Sequence, residues 1–364
     1  AKNKLALEEL AIAYQNLIKS NCAASLEDIC LTSNIGRHHF DYRQGIVAKD
    51  KQELIEKLAA ISIKEPIQHH KLAFLFTGQG SQYVGMARQL YDTCDVFKEN
   101  CDRCWEICDI NTVGANGDAL ANPLGRSPLQ YEMPLWDVDI NQTQYVQPLL
   151  FIIEYSLAQL WLSWGIKPDV TIGHSIGEYV AATIAEIFSL ENALKLVSAR
   201  GKLMQSLPEN GAMLAVFSSQ ERINYLLDRQ ISIAADNGTH LVLSGLKNDI
   251  ERIRQQLESF SIKTKLLEVS HAFHSPLMQP MIEAFKVVAE SINYSSPKIP
   301  IISNLTGELA DETIATADYW IKHILQPVQF AKSIEYLNSQ QVDIFLEVGT
   351  KPILKSIVTG IIDN

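Results

Sequence analysis

The chain of 364 residues has only six cysteines, none near either end, which excludes a disulfide scaffold and fits a reducing cytosol. It has no excess of positive charge. Thirty-one basic residues against 42 acidic ones give a net charge of −11, which argues against coating nucleic acid or an anionic membrane. It has no long uninterrupted apolar run either. The nearest, Thr143 to Ile166, carries Glu154 in its middle and is diluted by Gln144, Gln147, Gln159 and Ser163, so it reads as a buried helix of a soluble protein. Ala1-Lys2-Asn3 begins no apolar signal region and there is no initiating Met, so the sequence reads as a piece of something longer. Repeats and low-complexity tracts are missing too. What is present is 47% hydrophobic and 20% charged residues, ample for packed cores, in a length that suggests about two to three domains.

Residues 1–70 read as a small α/β unit. Leu5 to Lys19 carries a helical apolar face, Ser25 before Leu26-Glu27-Asp28 is a helix N-cap, and Gly45–Ala48 reads as a strand before a helix at Lys51–Ala60. Pro66 and His69-His70-Lys71 mark a joint. A strand at Leu72–Phe76 then enters Gly78-Gln79-Gly80-Ser81-Gln82 and a helix. Residues 113–128, rich in Gly and Pro, read as a surface loop. A helix from Val146 to Trp164 leads to a short strand at Val170–Ile172 and another helix, the rhythm of a helix-covered parallel sheet. After Pro208 the order changes. Strands at Ala212–Phe217, Ile231–Ala235, Leu241–Ser244 and Lys263–Val269, with helices at Arg222–Asp228 and Asn248–Phe260, make βαββαβ, a ferredoxin-like unit inserted in the larger domain.

The strongest local signal is Gly173-His174-Ser175-Ile176-Gly177 between a predicted strand and a predicted helix. A Ser on such a sharp turn exposes its Oγ, and the N–H groups that follow at the helix N-terminus can meet an oxyanion. The plainer reading is a glycine-bordered turn whose Ser caps a helix. Arg200 is an independent clue: on the helix Leu190–Gln205 it lies about 20° from Ala193, on the apolar face. A guanidinium turned inward needs an anion, either a protein carboxylate or a substrate carboxylate gripped by two parallel hydrogen bonds. For a base, His271-Ala272-Phe273-His274-Ser275 follows directly on a strand. His274 is favoured there over His271, whereas His174 points away along its turn and His323 reads as a structural hydrogen-bonder.

Two other patterns yield less. Gly78-Gln79-Gly80 resembles a phosphate loop, but Tyr83 stands where the dinucleotide fingerprint needs Gly and no Gly-Lys-Ser/Thr follows. Cys94, Cys101, Cys104 and Cys108 fall along one helical face with no His or second ligand pair, so a buried helix face is expected and no metal.

Together these pieces resemble the acyltransferase domain of modular polyketide synthases, related to the malonyl-CoA:acyl carrier protein transacylases of fatty acid synthesis. The residues that carry the resemblance run along almost the whole chain. They are Phe76-Thr77-Gly78-Gln79-Gly80-Ser81-Gln82, Gln142-Thr143 with Gln147-Pro148, Gly173-His174-Ser175-Ile176-Gly177-Glu178, Arg200, His271 to Ser275, Pro327-Val328-Gln329-Phe330 and Glu347-Val348-Gly349. The resemblance implies an α/β-hydrolase-like large domain with a parallel sheet (71–208 and 277–364), the inserted ferredoxin-like subdomain (209–276), and residues 1–70 as the linker from a preceding ketosynthase.

It also implies roles. Ser175 is the nucleophile, His274 its base and Arg200 the grip on a malonyl carboxylate. Backbone N–H groups of Gln79 and Ile176 form the oxyanion hole, and a backbone carbonyl near Gln329 orients the imidazole in place of an acid. Gln147, His271, Phe273 and Gln329 are expected around the substrate. His-Ala-Phe-His, with Ile176 after the nucleophile, resembles the malonyl-selecting members, since those taking methylmalonyl usually have Tyr-Ala-Ser-His and a Gln. No bound cofactor is implied. Malonyl-CoA is the donor, and the partners are an acyl carrier protein bearing phosphopantetheine and the neighbouring ketosynthase, in the cytoplasm. The rival readings are a free-standing transacylase, a serine hydrolase or proofreading thioesterase, and a silent docking module. Two departures from the family pattern are the long 113–128 loop and Thr350 in place of a usual Pro.

Overall fold

A computed structural model describes residues 1–20, 23–63, 65, 70–112, 140–227 and 230–363. The loop expected at 113–128 and the joint at Pro66 and His69 lie outside these residues. The chain divides into two compact units, 1–70 and 71–364.

In the first unit, helices run over Lys4–Lys19, Leu26–Ile35 and Lys51–Ala59. Each begins where a short polar side chain accepts a helix N–H: Asn3, Ser25 in a reciprocal capping box with Asp28, and Asp50. Ala11, Ile18, Ile29, Leu54 and Leu58 form its core. The strand expected at Gly45–Ala48 is irregular chain with Ile46 and Ala48 packed on that core, because no described segment offers it a ladder partner. Among the described residues this unit is helical, which corrects the α/β expectation for it.

The second unit contains β1 (Leu72–Phe76), β2 (Val170–Gly173), β3 (Gly211–Val216), β4 (Ser232–Asp236), β5 (Leu241–Leu246), β6 (Thr264–Leu266), β7 (Ile301–Ile302), β8 (Val328–Gln329) and β9 (Ile344–Val348). One sheet is all parallel, in the order β7-β2-β1-β9. Residues Ala73 to Phe76 are wholly buried, as a strand covered on both faces must be. Its register sets Phe76 opposite both Gly173 and Val348, so three strands stop level and their following loops gather at one edge. Open parallel sheets bind ligands at that carboxyl edge. The helices Thr143–Ser163 and Leu190–Gln205 pack beside it with thirteen and eight buried residues, too large an apolar face to leave in water.

The second sheet has the order β6-β3-β5-β4, the ferredoxin-like arrangement expected from the βαββαβ pattern. It differs in three details. The strand expected at 263–269 is confined to Thr264–Leu266, and the helix expected from Arg222 is a short turn at Gln220–Ile223 continued by a 3₁₀ turn at Asn224–Leu226. A fifth strand, β8, joins from outside the inserted segment and pairs parallel with β4. No helix among the described residues is long and apolar enough to cross a membrane.

Candidate active site

The turn between β2 and the helix Gly177–Ile184 has room for no side chain at either glycine. A Cβ on Gly173 would lie 2.0 Å from the Gly177 carbonyl carbon, and one on Gly177 would lie 2.3 Å from the Phe76 carbonyl oxygen. Between them Ser175 is held at φ 53°, left-handed backbone that costs about 1–3 kcal/mol outside glycine. Asn304, buried in the loop after β7, offsets it. Its Oδ1 accepts the Ser175 N–H at 2.8 Å, and its Nδ2 donates to the Gly173 carbonyl at 2.7 Å. At about 1 kcal/mol each, these two bonds match the strain. Sequence reasoning missed Asn304. It lies 129 residues from Ser175, and no local pattern marks an asparagine that will be buried.

Ser175 Oγ stands 2.8 Å from His274 Nε2, and His274 Nδ1 donates to the Gln326 carbonyl at 2.9 Å. That second bond places the ring proton on Nδ1 and leaves Nε2 free to take the serine proton. Burial first, then His323 and Arg200 beside it, push His274 well below the ordinary histidine value, with the Gln326 carbonyl opposing. The ring is therefore neutral at physiological pH, as a base must be.

The orienting carbonyl, expected near Gln329, is that of Gln326, three residues before it. Gln329 lies in β8, where its N–H donates to the Asn304 carbonyl at 2.8 Å and its own carbonyl accepts from the Ser333 hydroxyl at 2.8 Å. His271 has both nitrogens engaged, one with the Leu207 carbonyl at 2.9 Å and one with the Ser270 hydroxyl at 2.7 Å, so neither remains for a substrate. His174 turns its Nε2 to Asn237 at 2.9 Å, and burial lowers it to about 4.

Arg200 is 1% exposed, and its Nη2 donates to Ser175 Oγ at 3.3 Å. No carboxylate meets it among the described residues. Its Nε is buried without a partner, and burial lowers its pKa. The guanidinium lies 5.6 Å from the centre of the Tyr179 ring, whose hydroxyl is also buried and unpartnered. Gln147, likewise buried, reaches Met204 Sδ at 3.4 Å and Gln79 Oε1 at 3.5 Å, with its own Oε1 unpartnered. Burying a guanidinium with no carboxylate beside it costs several kcal/mol, so the arrangement is chemically suited to an anion.

The loop at Gly78–Gln79 comes close to the nucleophile turn: a Cβ on Gly78 would lie 2.9 Å from the His174 carbonyl oxygen. Neither the Gln79 nor the Ile176 N–H donates to a protein acceptor among the described residues. The loop is tied down beneath. Thr77 donates to buried Glu154 and pairs with Ser81 at 3.0 Å, and the hydroxyl of Thr350 donates to the Ser81 carbonyl at 2.7 Å. Thr350 thus holds this loop where the family pattern has proline. Ile176 and Phe273 are buried in the surrounding core.

Cys101 and Cys104 are buried, with Cys101 donating to the Ser156 hydroxyl at 3.3 Å. No group of three or more His, Cys, Asp or Glu among the described residues is placed to hold a metal ion.

Residues 73–363 match the family model of the Acyl transferase domain, and residues 1–58 match that of the CurL-like, PKS C-terminal family. Mycoketide-CoA synthase of Mycobacterium tuberculosis is 38% identical over 96% of this chain, which spans 8% of that protein. Among solved structures, the acyl transferase domain of ZmaA is 33% identical with a TM-score of 0.85, covering 100% of this chain and 84% of that one. The malonyl CoA-acyl carrier protein transacylase of Burkholderia pseudomallei is 28% identical with a TM-score of 0.67, over 81% of this chain and 99% of that one.

Proposed function

The chain belongs to the acyl transferase domain family, in its polyketide-synthase branch, and on that premise we propose that it moves a malonyl unit from malonyl-CoA through an ester on Ser175 to the phosphopantetheine thiol of an acyl carrier protein. The observation that carries the choice of acyl group is Arg200, a buried guanidinium with an unpartnered Nε, 3.3 Å from the nucleophile. An acyl group bearing a second, free carboxylate would accept from it bidentately, whereas an acetyl group would leave it unpaired.

In the first half-reaction His274 Nε2 takes the Ser175 proton as Oγ attacks the thioester carbonyl. The Gln79 and Ile176 N–H groups receive the oxyanion, the tetrahedral intermediate collapses, and the CoA thiolate leaves with the proton from His274. The carrier thiol then gives its proton to His274 and attacks the ester, and Ser175 recovers its hydrogen. Residues 1–70 support a place beside a ketosynthase, since most of them match a polyketide-synthase family of their own. A cytoplasmic setting goes with these substrates, and no bound cofactor enters the scheme.

To Phe273 and Ile176, both buried, we assign the exclusion of an α-methyl group. One methyl in such a pocket changes the rate by about 10–200-fold. In an equimolar mixture of malonyl-CoA and methylmalonyl-CoA, the malonyl adduct should lead by at least about tenfold. Preferential methylmalonyl loading would defeat the assignment.

A further inference from the structure

Glu178 stands three residues after the nucleophile and performs none of the steps above. It is wholly buried in the first turn of the helix Gly177–Ile184. One oxygen accepts from the Tyr319 hydroxyl. The other accepts the Asn304 N–H at 3.1 Å and lies 3.1 Å from His323 Nε2, a close approach without hydrogen-bond geometry. Each of those last two neighbours touches one half of the dyad. Asn304 holds the Ser175 backbone, and the His323 ring meets the His274 ring edge to face at 5.9 Å between centres.

When His274 takes the serine proton, a positive charge forms in a dry site already occupied by Arg200. Only the Gln326 carbonyl meets its Nδ1, and no carboxylate touches the ring among the described residues. Glu178 is the carboxyl that reaches it through a single intervening side chain. We infer that Glu178 and His323 form a buried proton-holding pair that sets the potential at His274, supplying through one ring the negative charge that a triad acid supplies by contact. This rests on the acyl-transfer reading only for the reaction it assists.

The pair has two relevant states. With one proton it is neutral, and without it the pair carries one negative charge that favours the His274 imidazolium and speeds attack. Burial pushes Glu178 up to about 8, against the Tyr319 and Asn304 hydrogen bonds. His323 is held well below its ordinary value by burial and then by Arg200, so the proton resides on Glu178 and leaves as pH rises through about 8. The groups facing the pair from other elements are Asn304, His274 and Arg200; Tyr179 faces it from the helix that carries Glu178, and Tyr319 and Trp320 from the helix that carries His323. Both tyrosines are raised by burial and stay neutral across this range.

The test follows Ser175 modification by intact mass from pH 6 to 9.5 in the full chain, with two probes, malonyl-CoA and a fluorophosphonate. Each needs the same base, and only the first needs the acyl-donor site. The wild-type rate should gain about tenfold through a step near pH 8. Glu178→Gln, which can still accept from Asn304, should lose the step while half-saturation by malonyl-CoA stays within about twofold. His323→Gln, whose amide can donate to Glu178, should move the step to lower pH. A step retained in Glu178→Gln, or a loss equal at every pH, overturns the inference. A step seen with the fluorophosphonate but no reaction with malonyl-CoA upholds the pair and refutes the acyl donor instead.

Discussion

Replacing His274 with alanine is expected to slow acylation of Ser175 by about 10²–10⁴-fold, the usual worth of a positioned general base. The geometry leaves no deputy. Ser175 Oγ has two described hydrogen-bond partners, His274 Nε2 and Arg200 Nη2, and a guanidinium cannot accept a proton. His271 has no nitrogen free, and His174 faces Asn237. Residual activity should rise with pH in step with the ionisation of the serine itself. Single-turnover acylation read by mass measures this directly, and a variant within about threefold of wild type would remove His274 from the base's role.

The second large effect concerns Arg200. Arg200→Met keeps most of the apolar stem and removes the charge. Leaving one member of a buried ion pair alone costs about 3–5 kcal/mol, so loading of malonyl-CoA should fall by about 10²–10⁴-fold. Loading of acetyl-CoA, which has no second carboxylate to lose, should be equal or better. Stability should move the other way. The free protein carries a guanidinium that no described carboxylate neutralises, so its removal should leave the unfolding temperature the same or higher. Loss of malonyl loading together with early unfolding would mean that Arg200 serves the fold. Unchanged loading would mean that it does not hold the substrate.

Much of this site was legible in the sequence because its signals are local. Two glycines four apart announce a turn with no room for side chains, and the structure gives the steric reason, with backbone atoms about 2 Å from either missing Cβ. Helical phase placed Arg200 among apolar residues, and it is buried there. The βαββαβ order is likewise a local rhythm, and it yields the observed order of four strands.

What was not legible depends on contacts between distant residues. Asn304 and His323 look like ordinary polar residues, and Glu178 like no more than the end of the nucleophile motif, until the parallel sheet and the helix Ala317–Leu325 bring them together behind Ser175. The two-residue strand β8 is too short for any periodicity, yet it sets Gln329 against Asn304 and leaves the Gln326 carbonyl to meet His274. The resemblance therefore pointed to the right stretch, and the structure names the carbonyl within it. At Gly45–Ala48 the apolar run was real, but it packs as irregular chain because a strand exists only where another pairs with it.

The central claim is that Ser175 carries a malonyl ester drawn from malonyl-CoA. It is tested most directly by intact-protein mass after brief exposure to malonyl-CoA, with Ser175→Ala alongside. One malonyl adduct on the wild type and none on the variant is the predicted result. An adduct that persists in Ser175→Ala, or free malonate released from malonyl-CoA with no adduct formed, would contradict it.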